Sequence, residues 1–411
     1  MCDTNLLDNA SISLNSGLHK NALTVVMILV SVLLLLSAIF LISPQLATQR
    51  EKTYESIVDD LFNEVLQEVQ NMRDLTSPEK IELNIVSIKW FSDKAKEEVR
   101  KEREEINLED IIHKALFIIP QNYSVGEARV EQASRIKAAV AGNQLYVVHE
   151  FFDPLNTDAA RRTLAHEITH LLQNQFRSPS LITSDQRWAW MALVEGDADF
   201  TADTYIAGSR SRLLSLKAYK IESLDKISGF PYQYGSGFIS ALFMKDGWNQ
   251  VNYAYINPPR STEEILHPEI YLAGGSFKQV EALFPGLNGW KVMLTDTFGE
   301  NFIRVMLENG LSREVATEAS AGWGGDNLTL FSRDENYLVT WRINWDTPDD
   351  ASEFINGFKS LIVKMDGREV RPDIFIIKDH YLTLTKRDLL TEIASSSEKE
   401  LIFSIQQLMK H

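Results

Sequence analysis

The sequence predicts an α+β protein, and three patterns predict it. Residues 157–176, TDAARRTLAHEITHLLQNQF, place apolar side chains at helical spacing behind a Thr157–Asp158 start signal. Immediately before them, IKAAVA and QLYVVHEFF flank Gly142 and Asn143, the composition of a tight β-hairpin. Toward the other end, segments at 327–332, 337–343 and 372–384 are rich in β-branched and aromatic residues and predict further strands. Helices and strands that segregate along the chain in this way predict α+β rather than a regular βαβ alternation.

Taken in order, the elements begin with a tail over 1–21 and then the charge-free run ALTVVMILVSVLLLLSAIFLIS at 22–43. As a helix that run would be about 33 Å long, close to the hydrocarbon thickness of a bilayer. It is longer than a signal-peptide core and has no small-residue cleavage site just after it, so a retained single-pass transmembrane helix in the lipid bilayer of the cell membrane is expected. The flanking Lys20, Arg50 and Lys52 barely set an orientation, and an extracytoplasmic catalytic domain is expected on the general ground that N-terminal anchors serve export. Residues 44–78 contain Ile57, Leu61, Val65, Leu66 and Val69 at helical spacing and form either a stalk or linker or the first helix of the folded body.

IELNIVSIKW, at 81–90, predicts a strand, with Ser92 capping a charged helix through about Glu105, and Ala115–Pro120 predicts a second short strand. Past the 157–176 helix, a Trp-rich helix is expected near 186–207 and another near 235–246, followed by a rigid proline-containing loop at 258–268. The expected division is a catalytic body over 79–285 and an α+β C-terminal region over 286–411.

Composition narrows the function. A net charge of −16 and a pI near 5.0 exclude a nucleic-acid role, because phosphate binding needs surplus Lys and Arg. The single cysteine, Cys2, leaves no internal disulfide and no Cys-ligated metal site, so any metal must be held by His and carboxylates.

His166-Glu167-Ile168-Thr169-His170 supplies such ligands. Residues four apart share a helix face, so the two imidazoles project toward one point and can bind a divalent cation at about 2.0 to 2.1 Å. Glu167 is off that line and reaches an attacking water instead. Downstream, WAWMALVEGDADFTADTY offers Glu195, Asp197, Asp199 and Asp203 on one expected helix, with Glu195 and Asp199 on the same face. Glu195 then completes a His2Glu site for one Zn2+ ion, while Asp199, its nearest competitor as ligand, can fix an imidazole tautomer. Ala192, Val194 and Ala198 between the acids indicate that this face is partly buried.

HEITH followed by E-G-D-A-D resembles the HExxH plus ExxxD pattern of the gluzincins, the thermolysin-like and zinc-aminopeptidase-like metallopeptidases. The resemblance implies a zincin-like metallopeptidase domain, with a small sheet, an active-site helix and a helical lower part. It also implies the metal ligands His166, His170 and Glu195, the general base Glu167 and a supporting Asp199. Tyr234-Gly235-Ser236-Gly237-Phe238 is similar to a Y-x-x-G-F stretch of zinc aminopeptidases whose tyrosine stabilises the transition state, which gives Tyr234 that role with Tyr232 as rival. His267, in the 258–268 loop, is a further candidate oxyanion donor, as in thermolysin-like enzymes. One departure is the 24 residues between His170 and Glu195, a few more than those families usually have. GDADF, the 258–268 loop, AGWGGD at 321–326 and WDT at 345–347 also resemble a set of prokaryotic envelope proteins with HExxH and no known substrate.

The function expected from these residues is a membrane-anchored zinc metallopeptidase in which Glu167 activates a zinc-bound water for attack on a peptide or protein substrate. The alternative is a catalytically inert envelope protein that uses the same scaffold for binding or assembly.

Overall fold

The structure, a computed structural model, describes residues 49–77, 79–209, 223–275, 277–378 and 380–410. The chain forms two compact units: one of residues up to 102 with 128–183 and 201–212, the other of 103–127, 184–200 and 213–411.

In the first unit, helix α1 (Gln49–Arg73) precedes strand β1 (Glu82–Val86), helix α2 (Ile88–Lys101), strands β2 (Ala138–Ala141) and β3 (Gln144–Val148), and helix α5 (Thr157–Gln173). The three strands lie in the order β1-β3-β2, with β1 parallel to β3 and β2 antiparallel to it. The expected hairpin is present: Ala141 pairs with Gln144 across a turn in which Gly142 adopts φ 59°, a conformation open to glycine at no steric cost. Period-two alternation then divides the side chains. Val140, Leu145 and Val147 meet α5 and α1 on one face, while Ala139, Ala141, Tyr146 and Val148 meet Phe91 of α2 on the other. Val58, Leu61, Phe62, Val65 and Val69 bury the apolar stripe of α1 in the core that also takes Leu164, Ile168, Leu171 and Leu172 of α5. The HExxH helix therefore has a fixed apolar floor, formed by a sheet and a second helix.

Local boundaries differ from expectation at two places for clear reasons. The cap of α2 is Ser87, whose hydroxyl accepts from the Trp90 amide, so the helix starts before Ser92 and takes up the end of the expected 81–90 strand. Residues 115–120 are not a strand: they close helix α3 (Arg103–Ala115) through Phe117 at φ 61°, with the amide of Ile118 donating to the His113 carbonyl. Helix α4 (Val125–Ala133) follows.

The second unit is dominated by a seven-stranded antiparallel sheet, ordered β4-β5-β6-β10-β9-β8-β7, from β4 (Lys291–Asp296), β5 (Trp323–Arg333), β6 (Asn336–Trp345), β7 (Arg368–Arg371), β8 (Ile374–Ile377), β9 (His380–Arg387) and β10 (Leu390–Ser396). Both faces are covered, which explains why β6 is buried at consecutive positions instead of alternating. Trp345 stacks on Phe354 of helix α13 (Pro348–Lys364), and Trp341 meets Phe302 of α11 (Gly299–Leu307) on the same face. Leu338 and Phe331 pack on the other with Ile402, Ile405 and Met409 of α14 (Lys399–Met409). The remaining helices are α6 (Ser184–Ser209), α7 (Ser223–Ser228), α8 (Phe230–Ile256), α9 (Thr262–Leu266), α10 (Pro268–Leu272) and α12 (Arg313–Ser320). The expected 258–268 loop thus contains α9, capped by Ser261, whose hydroxyl accepts from the Glu264 amide.

The expected fold class needs correction. The described residues are α+β, with a three-stranded sheet in one unit and a seven-stranded antiparallel sheet in the other, but the N-terminal transmembrane helix that the expectation placed before them is not supported. No helix among the described residues is long and apolar enough to cross a membrane, and the span expected over 22–43 lies outside them. The physical reason is plain in the long helices, where charge interrupts every apolar run; α1 is amphipathic and α8 carries Lys245 and Asp246 at its middle.

Candidate metal centre

Helix α5 begins at Thr157 with Asn156 at its cap, a residue before the expected Thr157–Asp158 start signal, and holds Leu164, Ile168, Leu171 and Leu172 against the floor. His166 and His170 share its other side. Their Nε2 atoms are 3.1 Å apart with ring planes at 85°, close to the roughly 3.3 Å that separates two nitrogens on a tetrahedral zinc with bonds of about 2.05 Å. Gln173, one turn beyond His170, adds what the sequence reading missed: its Oε1 lies 2.8 Å from His170 Nδ1. A carbonyl oxygen only accepts, so Nδ1 carries the proton and Nε2 keeps its lone pair for a metal. The i,i+3 spacing on one helix face is the signal that would have found it.

Glu195 arrives on α6. Between Ala189 and Ala202 the helix is mostly buried, and Ala189, Ala192, Gly196, Ala198 and Ala202 make that feasible by keeping its surface thin. At Gly196 it touches Gly235 of α8 backbone to backbone; a methyl group on either glycine would collide with the other helix. The N-terminus is fixed as firmly: Asp296, at the end of β4, accepts from the Ser184 amide at 2.8 Å and from its hydroxyl at 2.5 Å. Glu195 stands about 16 Å along the helix from that anchor, fully buried. Among the described residues, His166, His170 and Glu195 form a group suited to a metal ion, with one ligand atom from each within 4.8 Å of the others. The donor set fits zinc: two neutral imidazoles and a carboxylate leave one coordination position open. Glu167, buried beside His166, is 8% exposed.

The other acids of α6 diverge. Asp197 is buried and accepts from the Tyr255 hydroxyl at 2.8 Å; Asp203 accepts from Arg162 at 2.7 Å. Asp199 is half-buried one turn beyond Glu195. Tyr234 presents its hydroxyl to Arg313, which donates to it at 3.0 Å, whereas the rival Tyr232 is exposed.

His267 belongs to a different cluster. It lies where α9 ends and α10 begins, and its Nε2 is 3.2 Å from the Glu300 carboxylate, which raises its pKa. Around it the first turns of three helices carry buried acids: Asp185 on α6, Glu263 on α9 and Glu300 on α11. Asp185 accepts from the Thr262 amide at 3.0 Å and hydroxyl at 2.6 Å, yet burial still holds its pKa well above the usual range. Burial and the charge of Glu300 push Glu263 up to about 8. Asp326 receives the amides of Phe298 and Gly299 and the indole N–H groups of Trp323 and Trp341, and burial nevertheless moves it up to about 6. Helix N-termini favour negative charge, which is why these acids gather there without a matching set of cations.

Residues 291–394, the sheet from β4 through most of β10, match a family described only as a domain of unknown function, DUF8575. Comparison with curated proteins and with solved structures gives no match.

Proposed function

We propose that the protein is a zinc-dependent peptidase whose metal is held by His166, His170 and Glu195 and whose general base is Glu167. The observation that supports it most is the convergence of those three ligand atoms within 4.8 Å, although 24 residues separate His170 from Glu195. The likeness of HEITH and EGDAD to the gluzincin pattern supports the same reading. A bound zinc would supply acidity to a coordinated water and polarise a substrate carbonyl.

The chain's own residues do the rest. His170 is kept in its ligating tautomer by Gln173. Glu167, next to His166 in a buried position, takes the proton from the attacking water and returns it to the leaving amine, so that no charged amide nitrogen has to depart. Burial of Glu195 keeps solvent from competing for the carboxylate.

Full-length protein purified with and without a chelator, then assayed for bound zinc and for hydrolysis of a mixed peptide library, tests this proposal. One equivalent of zinc and chelator-sensitive cleavage are expected. Stoichiometric zinc without any cleavage would favour the binding-protein alternative, and absence of zinc would end the proposal.

A further inference from the structure

The two helices that carry the candidate ligands are also joined by an ion pair outside the centre. Arg162 of α5 donates from Nε to Oδ1 of Asp203 on α6 at 2.7 Å, with both side chains half-exposed. A second link lies beside it: Arg161 donates to the Tyr205 hydroxyl at 2.8 Å and pairs with Glu64 of α1 at 2.7 Å. All five residues belong to the first compact unit.

Helical spacing ties the Arg162–Asp203 pair to the centre. Arg162 stands one turn before His166 and two before His170, so the three share a side of α5. Asp203 stands one turn beyond Asp199 and two beyond Glu195, so these acids share a side of α6. From the Arg162–Asp203 contact, one turn forward on α5 and one turn back on α6 brings His166 level with Asp199. A second such step brings His170 level with Glu195, the two ligands whose atoms converge within 4.8 Å together with His166. The ion pair and the ligands therefore follow one antiparallel register, about 12 Å apart along each helix. A slip of one residue on either helix would carry a side chain about 1.5 Å along the axis and about 100° around it, and take Glu195 off His170. Apolar packing is non-directional and resists such a slip weakly, whereas a guanidinium needs its acceptor in a fixed place.

We propose that Arg162 and Asp203 are positioning residues for the metal centre: their ion pair fixes the register of α6 on α5 and so brings Glu195 opposite His170. This rests on the peptidase reading only for the use to which the metal is put. Neither residue is one of the ligands. The register is set in the metal-free protein and can be measured there.

A charge-swap set in the full-length protein tests it: Arg162→Glu, Asp203→Arg, the two together, and the milder Arg162→Lys. Zinc affinity is read by competition with a chelating dye, and coordination by the visible spectrum of protein loaded with Co2+ alone. Each reversal is expected to weaken zinc about fivefold or more and to diminish the intense bands of four-coordinate cobalt. The double variant restores the pair in the opposite sense and should recover both, while Arg162→Lys should fall between parent and reversal. A pure field effect predicts otherwise, because Arg162→Glu adds negative charge near the cation and Asp203→Arg adds positive charge, so the two would act in opposite directions. Melting temperatures of the chelated proteins should show the same recovery in the double variant. An unchanged affinity in either reversal, opposite effects of the two, or a double variant no better than the singles overturns the inference. A parent protein that binds no zinc, or binds it without cleaving peptides, counts instead against the peptidase reading; the chelated melting temperatures then decide the register, and a double variant without recovery there overturns it.

Discussion

At the scale of single residues, the groups that would hold a metal in the proposed centre are distinct from the one that would move a proton. Glu167→Gln removes the base and leaves His166, His170 and Glu195 intact. It should therefore keep zinc, measured by elemental analysis, while turnover falls by about 10²- to 10⁴-fold. His170→Ala should do the reverse and lose the zinc itself. Gln173→Leu is the more discriminating change. It deletes the acceptor that lies 2.8 Å from Nδ1, so zinc affinity measured by competition with a chelating dye should weaken about 10- to 100-fold with the fold unaltered. An unchanged affinity would mean that the tautomer is set by something other than Gln173.

At the scale of elements, the position of Glu195 depends on two glycines. Gly196 and Gly235 sit mid-helix, where alanine would ordinarily improve helical stability by about 1 kcal/mol. Here a Cβ on either would strike the opposing backbone, which cannot rotate away as a side chain can. Forcing the helices apart costs about 1 to 3 kcal/mol or more. Gly235→Ala is thus expected to lower the melting temperature and, by displacing α6, to weaken zinc binding, although it is not itself one of the proposed ligands. Gly208, near the end of the same helix with open space around it, is the control: Gly208→Ala should leave both quantities as they are.

For the whole molecule, the buried acids set a pH dependence whose sign follows from linkage. Glu263, raised to about 8, and Asp326, raised to about 6, hold their protons more tightly folded than unfolded. That contribution to stability is complete below the unfolded carboxylate values near 4 and is lost as pH rises through the folded ones. His267, raised by Glu300, acts in the same direction: its contribution is complete below about 6.5 and fades as pH climbs through its folded value. The melting temperature should therefore fall between pH 5 and 8, by at least about 3 °C. Glu263→Gln, which stays neutral throughout, should flatten the upper part of that slope. A melting temperature that instead rises across this range would show that the acids are ionised in the folded protein.

Much of the candidate site is local and was therefore legible in the sequence. The His166 and His170 pairing, the Glu167 offset, the Gly142 turn and the start of α5 all follow from helix and strand periodicity within a few residues. Glu195 was recognisable because small and apolar residues, Ala192, Val194 and Ala198, surround it in a helix that is largely buried there. Other features depended on partners distant in the chain, and no local pattern encodes those. Tyr234 and Arg313 meet across 78 intervening residues, and Asp185, Glu263 and Glu300 of three helix N-termini gather with Asp326 of β5. The seven-stranded sheet is of the same kind. Its central strands β5, β6 and β10 are buried on both faces, so their sequences lack the alternation that marks a half-exposed strand, and only the packing of helices on either side fixed which segments pair. Sequence determined which side chains can bind a metal, since that is a matter of residue type and spacing. Tertiary structure decided which of the remaining polar groups face which, because burial and long-range contact change what a carboxylate, a phenol or an imidazole can do.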